Sequence, residues 1–126
     1  GNIELHFKFN SKTMLQISVY VQELGEWPAD EMPAEITRPE KGLLLGVDIL
    51  HMDDEGNQYF ISIDYDGLEE QDVTEYLLQY VELGWRGDEY MVFKDIEWNG
   101  AMFEASIEPY YDMGTVSFSV NLFRKP

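Results

Sequence analysis

Residues 58–84, QYFISIDYDGLEEQDVTEYLLQYVELG, change their hydrophobic period partway along. Tyr59, Ile61, Ile63 and Tyr65 alternate with Ser62 and Asp64, the period of two that marks a strand with one buried face. Past Gly67 the period becomes helical. Val73, Tyr76, Leu77, Tyr80 and Val81 form one apolar stripe. This predicts one main helix near Leu68 to Leu83. Asp66 is the expected N-cap, Glu69, Glu70 and Asp72 sit where the helix dipole favours negative charge, and Gly84 is the expected stop. The face opposite the stripe carries Asp72, Glu75, Gln79 and Glu82. With no Lys or Arg inside the helix, no internal ion pair relieves it. Glu82 also falls near the negative end of the dipole, an unfavourable place for a carboxylate.

Outward from this segment the chain reads as strand. Leu43 to Met52 precedes it, joined through Asp53-Asp54-Glu55-Gly56-Asn57, a turn rich in residues that tolerate positive φ. Further upstream, Ile3, Leu5, Phe7 and Phe9, then Leu15, Ile17, Val19 and Val21, alternate about a turn at Asn10-Ser11-Lys12 and predict a hairpin. Residues 25–42 hold Pro28, Pro33 and Pro39 and read as a loop, with Trp27 pinning it over the core. Downstream, Val92, Ile96 and Trp98 lead into Asn99-Gly100, the strongest hairpin signal in the chain. Phe103, Ala105 and Ile107 form the return strand. After Met113-Gly114, Val116, Phe118, Val120 and Leu122 form a last strand. The expected fold is α+β: an antiparallel sheet of about six or seven strands, built as a meander of hairpins, with one helix on one face. At 126 residues it is expected to be a single domain, residues 1–126, with a core large enough to stand without staples.

Charge is the most unusual feature. The chain has 25 acidic and 8 basic residues, a formal net charge of −17. Between Lys41 and Arg86 there is no Lys or Arg, while eleven carboxylates fall in that span. Nucleic-acid binders need a basic footprint that displaces counterions from phosphates, and anionic membranes need the same. Direct binding to either is not expected. No run of 18 apolar residues occurs, and residues 1–10 lack the apolar stretch of a secretory signal. The absence of cysteine removes disulfides, thiolate metal sites and cysteine nucleophiles, and suits a reducing, cytoplasmic setting.

Chemical motifs are few. His6 and His51 are the only near-neutral acid–base candidates, and no nucleophile elbow, phosphate loop or dinucleotide fingerprint occurs. His51, Asp53, Asp54, Glu55 and Asn57 crowd one turn. An EF-hand alignment starting at Asp53 puts Gln58 where glycine is required, and the flanks read as strands. Neither a catalytic residue, a metal nor a cofactor is expected.

In size, composition and charge the chain resembles toxin-immunity proteins and nucleic-acid-mimicking inhibitors, a resemblance that involves no motif. It implies a non-catalytic protein offering carboxylates to a basic protein partner, such as a toxin or nuclease. Asp53, Asp54, Glu55, Asp72, Glu75 and Glu82 are the candidate contacts. Two alternatives stand beside it. One is a small ligand-binding module or enzyme with a pocket between sheet and helix, lined by some of Tyr59, Tyr65, Tyr76, Tyr80 and the tryptophans. The other is a self-associating protein that pairs through a strand edge.

Overall fold

The computed structural model describes residues 25–126. The hairpin expected over residues 3–21, and His6 within it, lie outside the described residues. Within them, six strands and one main helix follow in the order β1 (Leu43–His51), β2 (Gln58–Asp66), α1 (Glu70–Glu82), β3 (Arg86–Gly87), β4 (Val92–Trp98), β5 (Ala101–Asp112) and β6 (Thr115–Arg124). They make one antiparallel sheet with spatial order β1-β2-β6-β5-β4-β3. The α+β class and the single covering helix follow from the alternation and the helical stripe. One link departs from consecutive hairpins. After β2 the helix carries the chain to the far edge at β3, and β4, β5 and β6 fold back until β6 closes on β2.

The helix-side face of the sheet is the core. Ile61, Ile63 and Tyr65 of β2, Val116, Phe118, Val120 and Leu122 of β6, and Phe103, Ala105 and Ile107 of β5 pack against Val73, Tyr76, Leu77 and Tyr80 of α1. Strand β1 reaches this face only through an irregularity. The register slips between Leu44 and Gly46, so Leu44, Val47 and Ile49 stand opposite Tyr65, Ile63 and Ile61. Without the extra residue, Asp48 would fall on the core side. Gly25 donates its N–H to the Leu44 carbonyl at 3.2 Å, and a Cβ on Gly25 would lie 2.7 Å from the Gly46 Cα. Two glycines let the backbones meet there.

The hairpin turns follow their sequences. Asn99 and Gly100 both have positive φ (53° and 76°), as do Met113 and Gly114 (42° and 90°), the pattern that two-residue hairpins require. The helix ends in a Schellman motif. Trp85 N–H reaches the Tyr80 carbonyl at 3.0 Å, and Gly84 N–H, at φ 99°, reaches that of Val81 at 3.1 Å. Its start differs from the expectation: Glu69, not Asp66, is the N-cap. The Asp66 carboxylate is engaged one residue on, accepting from Gly67 N–H at 2.8 Å.

The proline-rich loop is fastened to the core by more than Trp27. Met32, Pro33, Ile36 and Pro39 are buried, and Trp27 packs half-buried against the core. Tyr65 donates its hydroxyl to the Pro39 carbonyl at 3.0 Å. Thr37 closes a ring with two helix tyrosines. Its N–H donates to the Tyr80 hydroxyl (2.8 Å), which lies 2.7 Å from that of Tyr76, which in turn donates to the Thr37 carbonyl (2.6 Å). Each buried hydroxyl is thus satisfied, and the backbone of a loop without regular structure gains partners it would otherwise lack. Tyr65 and Tyr80 are fully buried, Tyr76 and Trp85 nearly so, and they fill the core.

Candidate functional site

The six carboxylates expected to contact a partner separate into two places. Asp53, Asp54 and Glu55 form the β1–β2 turn, ahead of Gln58, while α1 begins beyond Asp66 at the other end of β2. At the usual strand rise those two ends stand about 26 Å apart. Asp72 and Glu75, in the first half of the helix, therefore lie far from the turn. In the turn, Asp53 Oδ1 accepts from Asn57 N–H at 3.0 Å, and Glu55 Oε2 from Asn57 Nδ2 at 3.0 Å. These carboxylates hold the turn closed. Among the described residues, no three His, Asp or Glu side chains converge as metal ligands.

The helix carboxylates are relieved by cations from elsewhere in the chain. Lys41, at the end of the loop, lies 3.3 Å from Asp72 and 3.7 Å from Glu75. The hydrogen bond to Asp72, then the charge of Glu75, raise the Lys41 pKa. Asp72 Oδ2 also accepts from Glu69 N–H at 3.0 Å, and this backbone bond is the main cause of its lowered pKa. Asp72 is thus a helix-start residue with a side chain only 18% exposed, not the free surface group that the sequence suggests. At the other end, the Lys94 ammonium lies 3.9 Å from where a Cβ on Gly84 would stand, a cation beside the negative end of the helix dipole. Replacing Asp72 by Ala is expected to cost about 1 kcal/mol of stability through the lost N-terminal acceptor. Glu75→Ala, which breaks an exposed ion pair and an exposed hydrogen bond from Gln71, is expected to stay within about 0.5 kcal/mol. Urea titration of the two variants checks the difference.

A groove that the sequence did not single out lies between the N-terminal half of α1 and the end of the β5–β6 hairpin. It encloses about 440 Å3 and is lined by Glu70, Thr74, Glu89, Tyr90, Pro109 and Tyr111. A second hollow of about 300 Å3 shares Glu70 and Tyr111 and adds Leu68 and Val116. The two adjoin at Glu70 and Tyr111 and are taken together as one furrow. Tyr90 is 71% and Tyr111 56% exposed, so neither ring serves the core. Tyr90 and Glu89 are held by a tight turn in which Asp88 Oδ1 accepts from Tyr90 N–H (2.8 Å) and Met91 N–H (3.2 Å). Burial, then the charge of Glu70, push the Tyr111 hydroxyl pKa up, so it stays a proton donor beside a carboxylate. Among the described residues, none that lines it is basic. The arrangement presents two hydrogen-bonding rings and two carboxylates to whatever enters.

The legible signal for this furrow is weak but physical. Tyr90 stands in a turn of breakers, Asp88-Glu89-Tyr90, where an aromatic ring has no periodic face to join. Tyr111 prolongs β5 past the residues that α1 covers. Neither a family model nor a curated protein matches the chain.

Proposed function

We propose that this chain is a non-catalytic acidic binding protein, of the immunity or nucleic-acid-mimicking inhibitor type, that docks the helix-side furrow on a basic protein partner. The observation that carries this reading is the pairing of exposed Tyr90 and Tyr111 with Glu70 and Glu89 in a furrow that, among the described residues, has no basic lining residue. Tyrosine is among the residues that anchor interfaces, because it offers a large rigid area and one polar handle. The carboxylates supply the other half. They draw a cationic surface in from solution and fix its register. Exposed Glu75 and Glu82 widen the negative field on the same helix.

The test begins with capture of a partner on the immobilised chain from its native host, followed by association kinetics of the purified pair. The double variant Glu70→Lys with Glu89→Lys is expected to slow association by about tenfold or more at low salt, with the gap closing as salt is added. Tyr90→Ala with Tyr111→Ala is expected to speed dissociation instead. A charge-reversed chain that associates at the wild-type rate in low salt removes the furrow from the interface.

A further inference from the structure

The helix-side face also carries a cleft at its opposite end, beside the β1–β2 turn. It encloses about 310 Å3 and is lined by Glu31, Ile49, His51, Tyr59, Trp98 and Asn99. The register places His51 directly across from Tyr59. The rings of His51 and Tyr59 lie 4.8 Å apart at 58°, and those of Tyr59 and Trp98 lie 4.8 Å apart at 74°. Tyr59, 9% exposed, is a floor backed by Phe103, and the two other rings rise steeply from it as walls. His51 is exposed and Trp98 half-buried, so both walls reach solvent. Glu31, from the 3₁₀ turn Ala29–Glu31, supplies one carboxylate.

We propose that this cleft is an aromatic cage for a methylated ammonium group. Ring faces are negative at their centres and attract a cation placed against them, most strongly when water is excluded. A methylated ammonium carries its charge on apolar methyl groups, and it fits a lining of three rings and Ile49. Fully methylated nitrogen has no N–H to satisfy. It needs only a nearby negative charge, which Glu31 provides. A guanidinium or primary ammonium would require several acceptors fixed around its N–H groups; among the described lining residues Glu31 is the one charged acceptor, with the neutral Asn99 amide, Tyr59 hydroxyl and His51 nitrogen beside it. The group can belong to a free choline-like molecule or to a trimethyl-lysine side chain, and the chemistry of recognition is the same. This inference does not depend on the furrow at the other end of the sheet.

The experiment follows the Trp98 indole N–H by NMR in the full chain during four titrations. The probes are choline, its neutral carbon isostere 3,3-dimethylbutan-1-ol, a short trimethyl-lysine peptide, and the same peptide with unmodified lysine. The expected result is a saturable shift with choline or the trimethyl-lysine peptide, and at least roughly tenfold weaker binding of the neutral isostere. A response to choline alone identifies a free ligand, and a stronger response to the peptide identifies a side chain. Trp98→Ala is expected to weaken binding by roughly tenfold, read from the remaining shifts, while Trp98→Phe retains most of it. Glu31→Gln, at an exposed position, is expected to weaken it severalfold without touching the fold. Equal binding of the neutral isostere, equal binding of the unmodified lysine peptide, or no movement with any probe overturns the proposal.

Discussion

Above about pH 10 the protein is expected to lose stability steeply, and Tyr76 with Tyr80 is expected to account for most of the loss. Burial pushes both hydroxyl pKa values up, that of Tyr76 well above its ordinary value of 10.0. Burial is the cause at both positions; an ionised Tyr76 could in addition no longer donate to the Thr37 carbonyl, whereas the hydrogen bonds of Tyr80 with Thr37 and Tyr76 hold its rise back. Unfolded chains release these protons near pH 10, whereas the folded chain keeps them. Folded pKa values above the unfolded ones mean a contribution fully present below pH 10 and lost as pH rises towards the folded values. While both hydroxyls remain protonated in the fold, the slope approaches about 1.4 kcal/mol per pH unit for each, or about 2.7 for the pair. The double variant Tyr76→Phe with Tyr80→Phe is expected to start about 1–3 kcal/mol less stable, because Thr37 loses its partners, and then to decline more gently. Denaturant midpoints measured from pH 8 to 11 in both proteins check this. An equal alkaline slope in the double variant would place the titrating groups elsewhere.

The second large effect is expected at Gly87. Its φ is 119°, which residues with a side chain rarely adopt, and a Cβ there would sit 2.0 Å from the Met91 carbonyl oxygen and 2.9 Å from the Val92 Cα. Both obstacles are backbone, so no rotamer change relieves them. Gly87→Ala is expected to cost about 3 kcal/mol or more. The damage should be local in its geometry, because the Asp88–Met91 turn has to open, and with it Glu89 and Tyr90 leave the furrow. Gly114→Ala is the control. Its φ is also positive, at 90°, but nothing lies within 4 Å of the added Cβ. It is expected to cost about 1 kcal/mol. Thermal unfolding of the two variants tests the contrast, and equal losses would show that conformation alone, not the collision with Met91, sets the cost.

What the sequence discloses and what it conceals have physical causes. Strand β2 and helix α1 are legible because each buries one face only, so burial writes a period into the residues. The helix start moves from Asp66 to Glu69 because several acidic residues compete to cap it, and spacing alone does not say which one turns back on the backbone. Strand β1 conceals its irregularity because Leu43, Leu44 and Leu45 are equally apolar, and either of two phases would read the same. The pairing of β2 with β6 is hidden too. Alternation tells which face a strand buries, not which neighbour it takes. Strand β3 is two residues long and leaves no period at all. The sites fare worse for the same reason. Sequence proximity suggested that Asp72 and Glu75 belong with Asp53 to Glu55, yet β2 sets them at opposite ends. The furrow joins Glu70 to Tyr111 across about forty residues, by a contact that no local pattern records.

The place of β6 has a consequence for how the protein is made. The strand holding residues 115–124 is the last of the six to be synthesised, yet it lies inside the sheet, between β2 and β5. A ribosome therefore delivers β2 with one long edge open, and Ile61 and Ile63 stay without their partners Val120 and Phe118 until the final strand emerges. During that interval the nascent chain holds an adhesive apolar ribbon that other copies can template on. The closing step joins residues about fifty to sixty-five positions apart and pays the chain entropy of that long loop. The described sheet is thus expected to close only once β6 has emerged, and the dense negative charge is expected to hold neighbouring unfinished chains apart until then.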